Sequence, residues 1–218
     1  MAETAFTFGK STMLFPTPVL AYKIADAERI NAALLEEIEQ RRVQEPGVLR
    51  SNRAGWHSAS DFFTRKEATH VELARAVTRA VGDATQRISQ GQMQENLRIQ
   101  LSGWININPP GAYNVPHDHP GSYWSGCYYV KMDKRTARTD EGGAITFIDP
   151  RCAPAGQPLV KAPVFHGAQS MHPVPGTLLI FPSNVKHWVH PNSSDEERVT
   201  MAFNAFVFAP PKATKADP

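Results

Sequence analysis

The sequence predicts a mainly β protein with N-terminal helices, and three observations carry that prediction. Apolar residues recur at helical spacing only in the first part of the chain. From about Leu97 onward come short β-forming runs broken by Gly and Pro, the pattern of a sandwich or barrel. The composition, 41% hydrophobic and 20% charged over 218 residues, is that of a globular chain long enough to bury a core. The chain is read as one compact unit. Residues 1–95 form a helical support, 96–208 a β core buttressed on one face by the helices, and 209–218 a tail expected to be disordered.

The elements follow in order. Leu14-Phe-Pro-Thr-Pro-Val-Leu20 contains prolines that favour extended structure or a sheet edge. Asp26 stands where a helix N-cap belongs, with Arg29 in the first turn. Ile30, Leu34, Leu35 and Ile38 then keep helical spacing up to the stop at Pro46-Gly47. The polar stretch 51–58 holds Trp56 and His57. Both are candidates for lining a pocket, and Trp56 is suited to plug a helix-to-sheet junction. A second helix spans about 66–89, with Leu73, Ala74, Val77, Val81 and Ile88 as its apolar face and Val71 to one side. Residues 98–108 alternate polar and apolar as a half-buried strand does, and Pro109-Pro-Gly111 turns the chain. Further strands are expected within 123–132, 142–149, 173–182, 185–190 and 197–208. A charged loop at 133–141 and a Pro-rich irregular stretch at 150–167 lie between them.

Bulk properties exclude several functions. A formal net charge of +2 is too balanced to argue for nucleic acid or an anionic membrane. Cys127 and Cys152 have no metal-ligand spacing and suggest no disulfide framework, so a reducing compartment fits. The N-terminus lacks a basic segment followed by an apolar one, and no apolar run approaches the ~20 residues of a membrane span. A cytoplasmic protein is expected.

The chemistry concentrates in Asn114-Val-Pro-His117-Asp118-His119-Pro120-Gly121-Ser122. On an extended backbone, side chains two apart point the same way, so His117 and His119 converge while Asp118 faces away. Neutral imidazoles suit iron, zinc, copper and nickel. A third ligand must come from elsewhere, and His187 in a late strand is the best candidate. His190 competes, but its odd offset puts it on the opposite face. His57, His70, His166 and His172 are weaker candidates. Arg198 and Thr200, two apart at the head of the last strand, form a grip for a carboxylate. The competing view of Arg198 is an exposed strand-end cation paired with Glu196 or Glu197.

The order His-x-His, late-strand His, Arg-x-Thr resembles the Fe(II)/2-oxoglutarate-dependent oxygenase superfamily. Gly103-Trp-Ile-Asn-Ile-Asn108, His117-Asp-His-Pro120, Ser125-Gly-Cys-Tyr-Tyr-Val130, Phe147-Ile-Asp-Pro-Arg151, Pro175-Gly-Thr-Leu-Leu-Ile-Phe-Pro-Ser183, His187-Trp-Val-His-Pro-Asn192 and Arg198-Val-Thr-Met-Ala-Phe-Asn204 are similar to a bacterial branch of it. So are Leu14-Phe-Pro-Thr-Pro and Ser51-Asn-Arg-Ala-Gly-Trp56. The resemblance implies a double-stranded β-helix, or jelly roll, with Fe(II) as cofactor and 2-oxoglutarate as co-substrate. It implies His117 and His187 as imidazole ligands and Arg198, helped by Thr200, on the distal carboxylate of 2-oxoglutarate. Asn106 resembles an Asn that contacts the co-substrate in some relatives. The implied reaction consumes O2, converts 2-oxoglutarate into succinate and CO2, and hydroxylates a small molecule or an amino-acid side chain. A homodimer through edge strands is compatible with such a barrel. Trp56, Trp124, Tyr128, Tyr129 and Trp188 are candidate pocket walls, with core packing the default for about half of them.

One departure stands out. Most of the superfamily has Asp or Glu two residues after the first His, where this chain has His119. Three histidines are favoured over a set containing Asp118, whose strand parity is wrong unless Pro116 or Pro120 bends the chain. Two rival readings follow: a three-His, cupin-like metalloenzyme that needs no 2-oxoglutarate, and a non-catalytic barrel with a vestigial metal site.

Overall fold

The computed structural model describes residues 7–93, 96–133, 141–151, 162 and 165–210. Two helices, α1 (Ala27–Gln44) and α2 (Ala68–Ser89), accompany eleven strands. These are β1 (Leu20–Lys23), β2 (Asn52–Arg53), β3 (Trp56–His57), β4 (Arg98–Asn108), β5 (Tyr113–His117), β6 (Trp124–Lys131), β7 (Ile145–Ile148), β8 (Ala168–Met171), β9 (Thr177–Pro182), β10 (His187–Val189) and β11 (Arg198–Phe208). They form a six-stranded major sheet, ordered β1-β9-β6-β11-β4-β3, and a five-stranded minor sheet, ordered β2-β5-β10-β7-β8. Every pairing is antiparallel. The two sheets make a double-stranded β-helix, and the N-terminal helices buttress one face of it.

The major sheet is buried on both faces, and the two-residue period of its strands sorts side chains between them. Ile105, Ile107, Tyr128, Val130, Leu178, Ile180, Val199, Met201 and Phe203 join Ile30, Leu34, Ile38, Leu73, Val77 and Val81 of the helices in one apolar core. Their neighbours Cys127, Tyr129, Leu179 and Phe181 form a second cluster with Ile145 and Phe147 of the minor sheet. Close approach of the layers depends on Gly126, where a Cβ would run into the Phe203 ring and the Leu179 carbonyl. Polar ties lock the helices down. Tyr128 donates to Asn31 Oδ1 of α1 at 2.7 Å, and Trp124 Nε1 donates to Thr85 Oγ1 of α2 at 3.0 Å.

Several expectations need correction. Asp26 precedes α1 as expected, but its backbone is left-handed (φ 51°) and its side chain makes no capping bond. Ile88 is 45% exposed, because α2 turns Ala80 and Ala84 inward instead. Trp124 and Tyr128 face the helices rather than a pocket, while Trp188 stacks on His190 at 3.9 Å. Trp56 plugs the junction, donating its Nε1 to the Glu45 carbonyl after α1 at 3.0 Å. Strand β8 was not anticipated, since its four residues are all exposed and carry no apolar pattern. Most of the irregular stretch, Cys152 and the tail from 211 onward lie outside the described residues.

Candidate functional site

Two strands of the minor sheet bring the first imidazoles together. His117 closes β5 and His187 opens β10, and the two are direct cross-strand partners. Cross-strand partners share a sheet face, and the ring centroids lie 4.5 Å apart. Each ring is held the same way. Nδ1 of His117 contacts the Val115 carbonyl at 2.7 Å, and Nδ1 of His187 contacts the Val185 carbonyl at 2.9 Å. A carbonyl only accepts, so Nδ1 carries the proton in both and Nε2 presents a lone pair.

His119 arrives by a different route. β5 ends at His117, so strand parity alone does not place it. The His119 N–H donates to the Ser183 carbonyl at 2.9 Å, and Ser122 Oγ donates to the His119 carbonyl at 3.1 Å. Ser183 Oγ in turn binds the Ser122 carbonyl. This tie to the β9–β10 turn carries the His119 ring to within 4.9 Å of His117 and 5.3 Å of His187. The potential ligand atoms of the three residues all lie within 4.8 Å of one another. Asp118 is exposed and lines no part of the cavity between them.

Burial makes the cluster neutral. Loss of solvent lowers the pKa of His119 to about 4 and of His187 to about 3, each reinforced by a neighbouring imidazole, and burial lowers that of His117. Cys127 lines the same cavity, where burial pushes its thiol pKa up, and its sulfur is not part of the three-His cluster.

The major sheet supplies the other chemistry from the face opposite the helices. Cross-strand pairing of β4 with β11 sets Asn106 beside Thr200 and Trp104 beside Ala202. Arg198 and Thr200 are 3% and 1% exposed, and Arg198 Nη1 reaches Thr200 Oγ1 at 3.4 Å. The strand-end ion pair does not form. Glu197 pairs with Arg42 at 2.8 Å, Glu196 lies 3.4 Å from Lys131, and no carboxylate pairs with Arg198 among the described residues. The guanidinium rests 5.3 Å from the Tyr129 ring centroid. Arg198 Nε, Asn106 Oδ1 and Tyr129 Oη are buried with no hydrogen-bond partner among the described residues. Natively buried polar atoms are nearly always paired, so this concentration of orphans points to a missing ligand.

His117, His119, His187, Asn106, Arg198 and Thr200 thus all line one inner cavity. The other histidines lie elsewhere or act differently. His70 faces Glu37 at 2.9 Å, His190 contacts Thr146 and Glu141, and His166 lines a groove beside β8. His172 is exposed. His57 stacks on Trp104 beside the metal-ligating candidates. Trp104 is the pocket wall that sequence reading missed. Its even position in β4, shared with Asn106, was the available signal.

Residues 102–204 match a family described as "Putative 2OG-Fe(II) oxygenase". No curated protein matches the chain. Among solved structures, it resembles a prolyl-4-hydroxylase from Pseudomonas putida, with 18% identity and a TM-score of 0.55 over 86% of this chain and 91% of that one. A prolyl hydroxylase from Trichoplax adhaerens, complexed with a hypoxia inducible factor oxygen degradation domain peptide fragment, gives 14% and 0.56 over 86% and 83%. HygX from Streptomyces hygroscopicus, solved with nickel and 2-oxoglutarate, gives 13% and 0.57 over 87% and 83%. At these identities the likeness carries the fold. The family match spans the β core, residues 102–204, which therefore resembles a 2OG-Fe(II) oxygenase, with a three-His cluster where the usual motif has a carboxylate.

Proposed function

We propose that this oxygenase is a hydroxylase in which His117, His119 and His187 hold Fe(II) while Arg198, Thr200 and Asn106 receive 2-oxoglutarate. One observation supports the reading above all: an unpaired buried guanidinium and three neutral imidazoles line the same cavity. An uncompensated buried charge is costly, and a docking carboxylate relieves that cost. The residues fit both groups. The imidazoles offer nitrogen lone pairs suited to Fe(II), and the orphaned Arg198 Nε offers an N–H to a carboxylate.

When bound, Fe(II) and 2-oxoglutarate together supply the oxidising chemistry: O2 is consumed, 2-oxoglutarate leaves as succinate and CO2, and a substrate C–H bond is hydroxylated. The chain's residues orient and exclude. The Val115 and Val185 carbonyls hold the His117 and His187 rings in one tautomer. Arg198 and the Thr200 hydroxyl fix one end of the co-substrate, and Ile145 and Phe181 keep that part of the cavity dry. Three neutral imidazoles leave both charges of a divalent ion uncompensated, where a carboxylate ligand would cancel one. The same reading takes residues 1–218 as a single domain, since one apolar core joins α1 and α2 to the barrel. Among the described residues, no helix is long and apolar enough to cross a membrane.

The test is titration of 2-oxoglutarate into the chain reconstituted anaerobically with Fe(II). Binding should require both the metal and Arg198. His119 favours a second reading, a three-His metalloenzyme independent of 2-oxoglutarate; iron retained with no 2-oxoglutarate binding would favour it, and affinity unchanged in Arg198→Ala would remove Arg198 from the co-substrate site.

A further inference from the structure

Past His117 and His119 lies a second chamber of about 390 Å3, which also takes Ser51 and Trp104 from the inner cavity's lining. That is room for a small molecule or one amino-acid side chain. Two flat rings form its wall: Trp104 and His57 lie nearly parallel, 5.5 Å apart with 11° between their planes. Ser60 adds a hydroxyl and Val115 an apolar edge.

The charge of this chamber is one-sided. Arg50 lines it, exposed and with no carboxylate partner among the described residues, and no Asp or Glu lines it. His57 adds no charge: burial lowers its pKa, and its Nδ1 donates to the Ser58 carbonyl at 2.6 Å, leaving Nε2 as a neutral acceptor. Asp118, beside the imidazoles in sequence, lines neither chamber.

Arg50 is also held by the scaffold of the candidate metal centre. Its N–H donates to Asn52 Oδ1 at 2.7 Å, and the next residue's carbonyl accepts the Val115 N–H at 2.9 Å. The strand that follows, β2, pairs with β5, which ends at His117. The Arg50 backbone is therefore registered against the imidazoles rather than placed on a free loop.

We propose that the outer chamber is the substrate subsite and that it selects a small carboxylate with a flat apolar body. Arg50 grips the carboxylate, and the body lies along the Trp104–His57 wall. A guanidinium offers paired donors to a carboxylate, and a planar group stacks favourably on such rings. That the bound molecule is a substrate rests on the hydroxylase reading; the preference for an anion rests on the chamber alone.

The test uses phenylacetate, with phenylacetamide as its neutral match and phenethylamine as its cationic one. Each is titrated by ligand-observed NMR into the full chain, kept anaerobic with Fe(II) and saturating 2-oxoglutarate, and into the metal-free chain with 2-oxoglutarate. Phenylacetate should bind roughly tenfold more tightly than phenylacetamide. Arg50→Ala should remove the difference, Arg50→Lys should restore part of it, and Arg50→Glu should turn the preference toward phenethylamine. Equal binding of phenylacetate and phenylacetamide by the wild-type chain, or a preference untouched by Arg50→Ala, overturns the proposal. A preference kept by the metal-free chain supports the chamber even if iron-dependent 2-oxoglutarate binding fails, so the two readings fall separately.

Discussion

Tyr128 and Tyr129 are adjacent on β6, both fully buried, and their hydroxyls meet opposite environments. Tyr128 faces the helices and donates to Asn31, whereas the Tyr129 hydroxyl faces the barrel interior beside Arg198 and Cys127, with no well-formed hydrogen bond among the described residues. The difference extends over the whole major sheet. On the helix side, apolar side chains interlock, and the sheet's Tyr128 hydroxyl and Trp124 indole N–H are paired with the helices. On the barrel side, Arg198, Asn106 and Tyr129 carry unsatisfied atoms around a cavity. One set of strands therefore serves two purposes: one face holds the fold together, and the other keeps polar groups ready for a ligand.

The sharpest way to break this division is at the imidazoles. His187→Ala should lower iron retention by on the order of a hundredfold or more, measured by metal analysis after gel filtration, while the circular dichroism of the barrel persists. A variant that keeps its iron would remove His187 from the ligand set. Next comes Arg198→Ala, expected to weaken 2-oxoglutarate binding by on the order of a hundredfold without loss of thermal stability, because the removed guanidinium has no carboxylate partner. A large fall in melting temperature would instead mark Arg198 as a structural residue.

The tyrosine pair sharpens the comparison at smaller cost. Tyr128→Phe strands the buried Asn31 Oδ1 and should destabilise the fold by about 1–3 kcal/mol, with 2-oxoglutarate affinity unchanged. Tyr129→Phe removes an unpaired hydroxyl and should shift the denaturant midpoint hardly at all. Equal costs would mean that the two faces do not differ as described. The smallest effect is a null one. Burial puts the folded-state pKa values of His119 at about 4 and His187 at about 3, below neutral pH, so both are already deprotonated before a metal arrives. Metal uptake at pH 7 should release no proton from them, and burial shifts His117 the same way, so calorimetric heats in buffers of different ionisation enthalpy should differ little. Competition from protons at His119 and His187 should begin only as the pH falls toward 4.

Much of this division was legible in the sequence, and its failures have physical causes. Helical spacing located α1 and α2, and alternation located β4. Parity put Arg198 with Thr200 and His117 with His119, while the late-strand position and the family resemblance put His187 with that pair. What parity could not decide was which face of a doubly buried sheet each aromatic would take. A strand such as β6, with seven of its eight residues buried, shows no polar side to orient it. Trp124 and Tyr128 were therefore as plausible for the pocket as Tyr129, and Trp104 was overlooked. Strand β8 carries no apolar pattern, and β2 and β3 are two residues each, too short for any period. His119 was assigned by strand parity, but the structure holds it through Ser183, a contact across the fold that local sequence does not reveal.

The central claim is that the barrel face joins an iron held by three histidines to a 2-oxoglutarate held by Arg198. Its most direct test is succinate release by the chain incubated with Fe(II), ascorbate, O2 and 2-oxoglutarate, comparing wild type with Arg198→Ala. The expected result is succinate from the wild-type chain and far less from Arg198→Ala, with recovery as 2-oxoglutarate is raised. Succinate formed equally by both, or by neither once iron is shown to be bound, would contradict the claim.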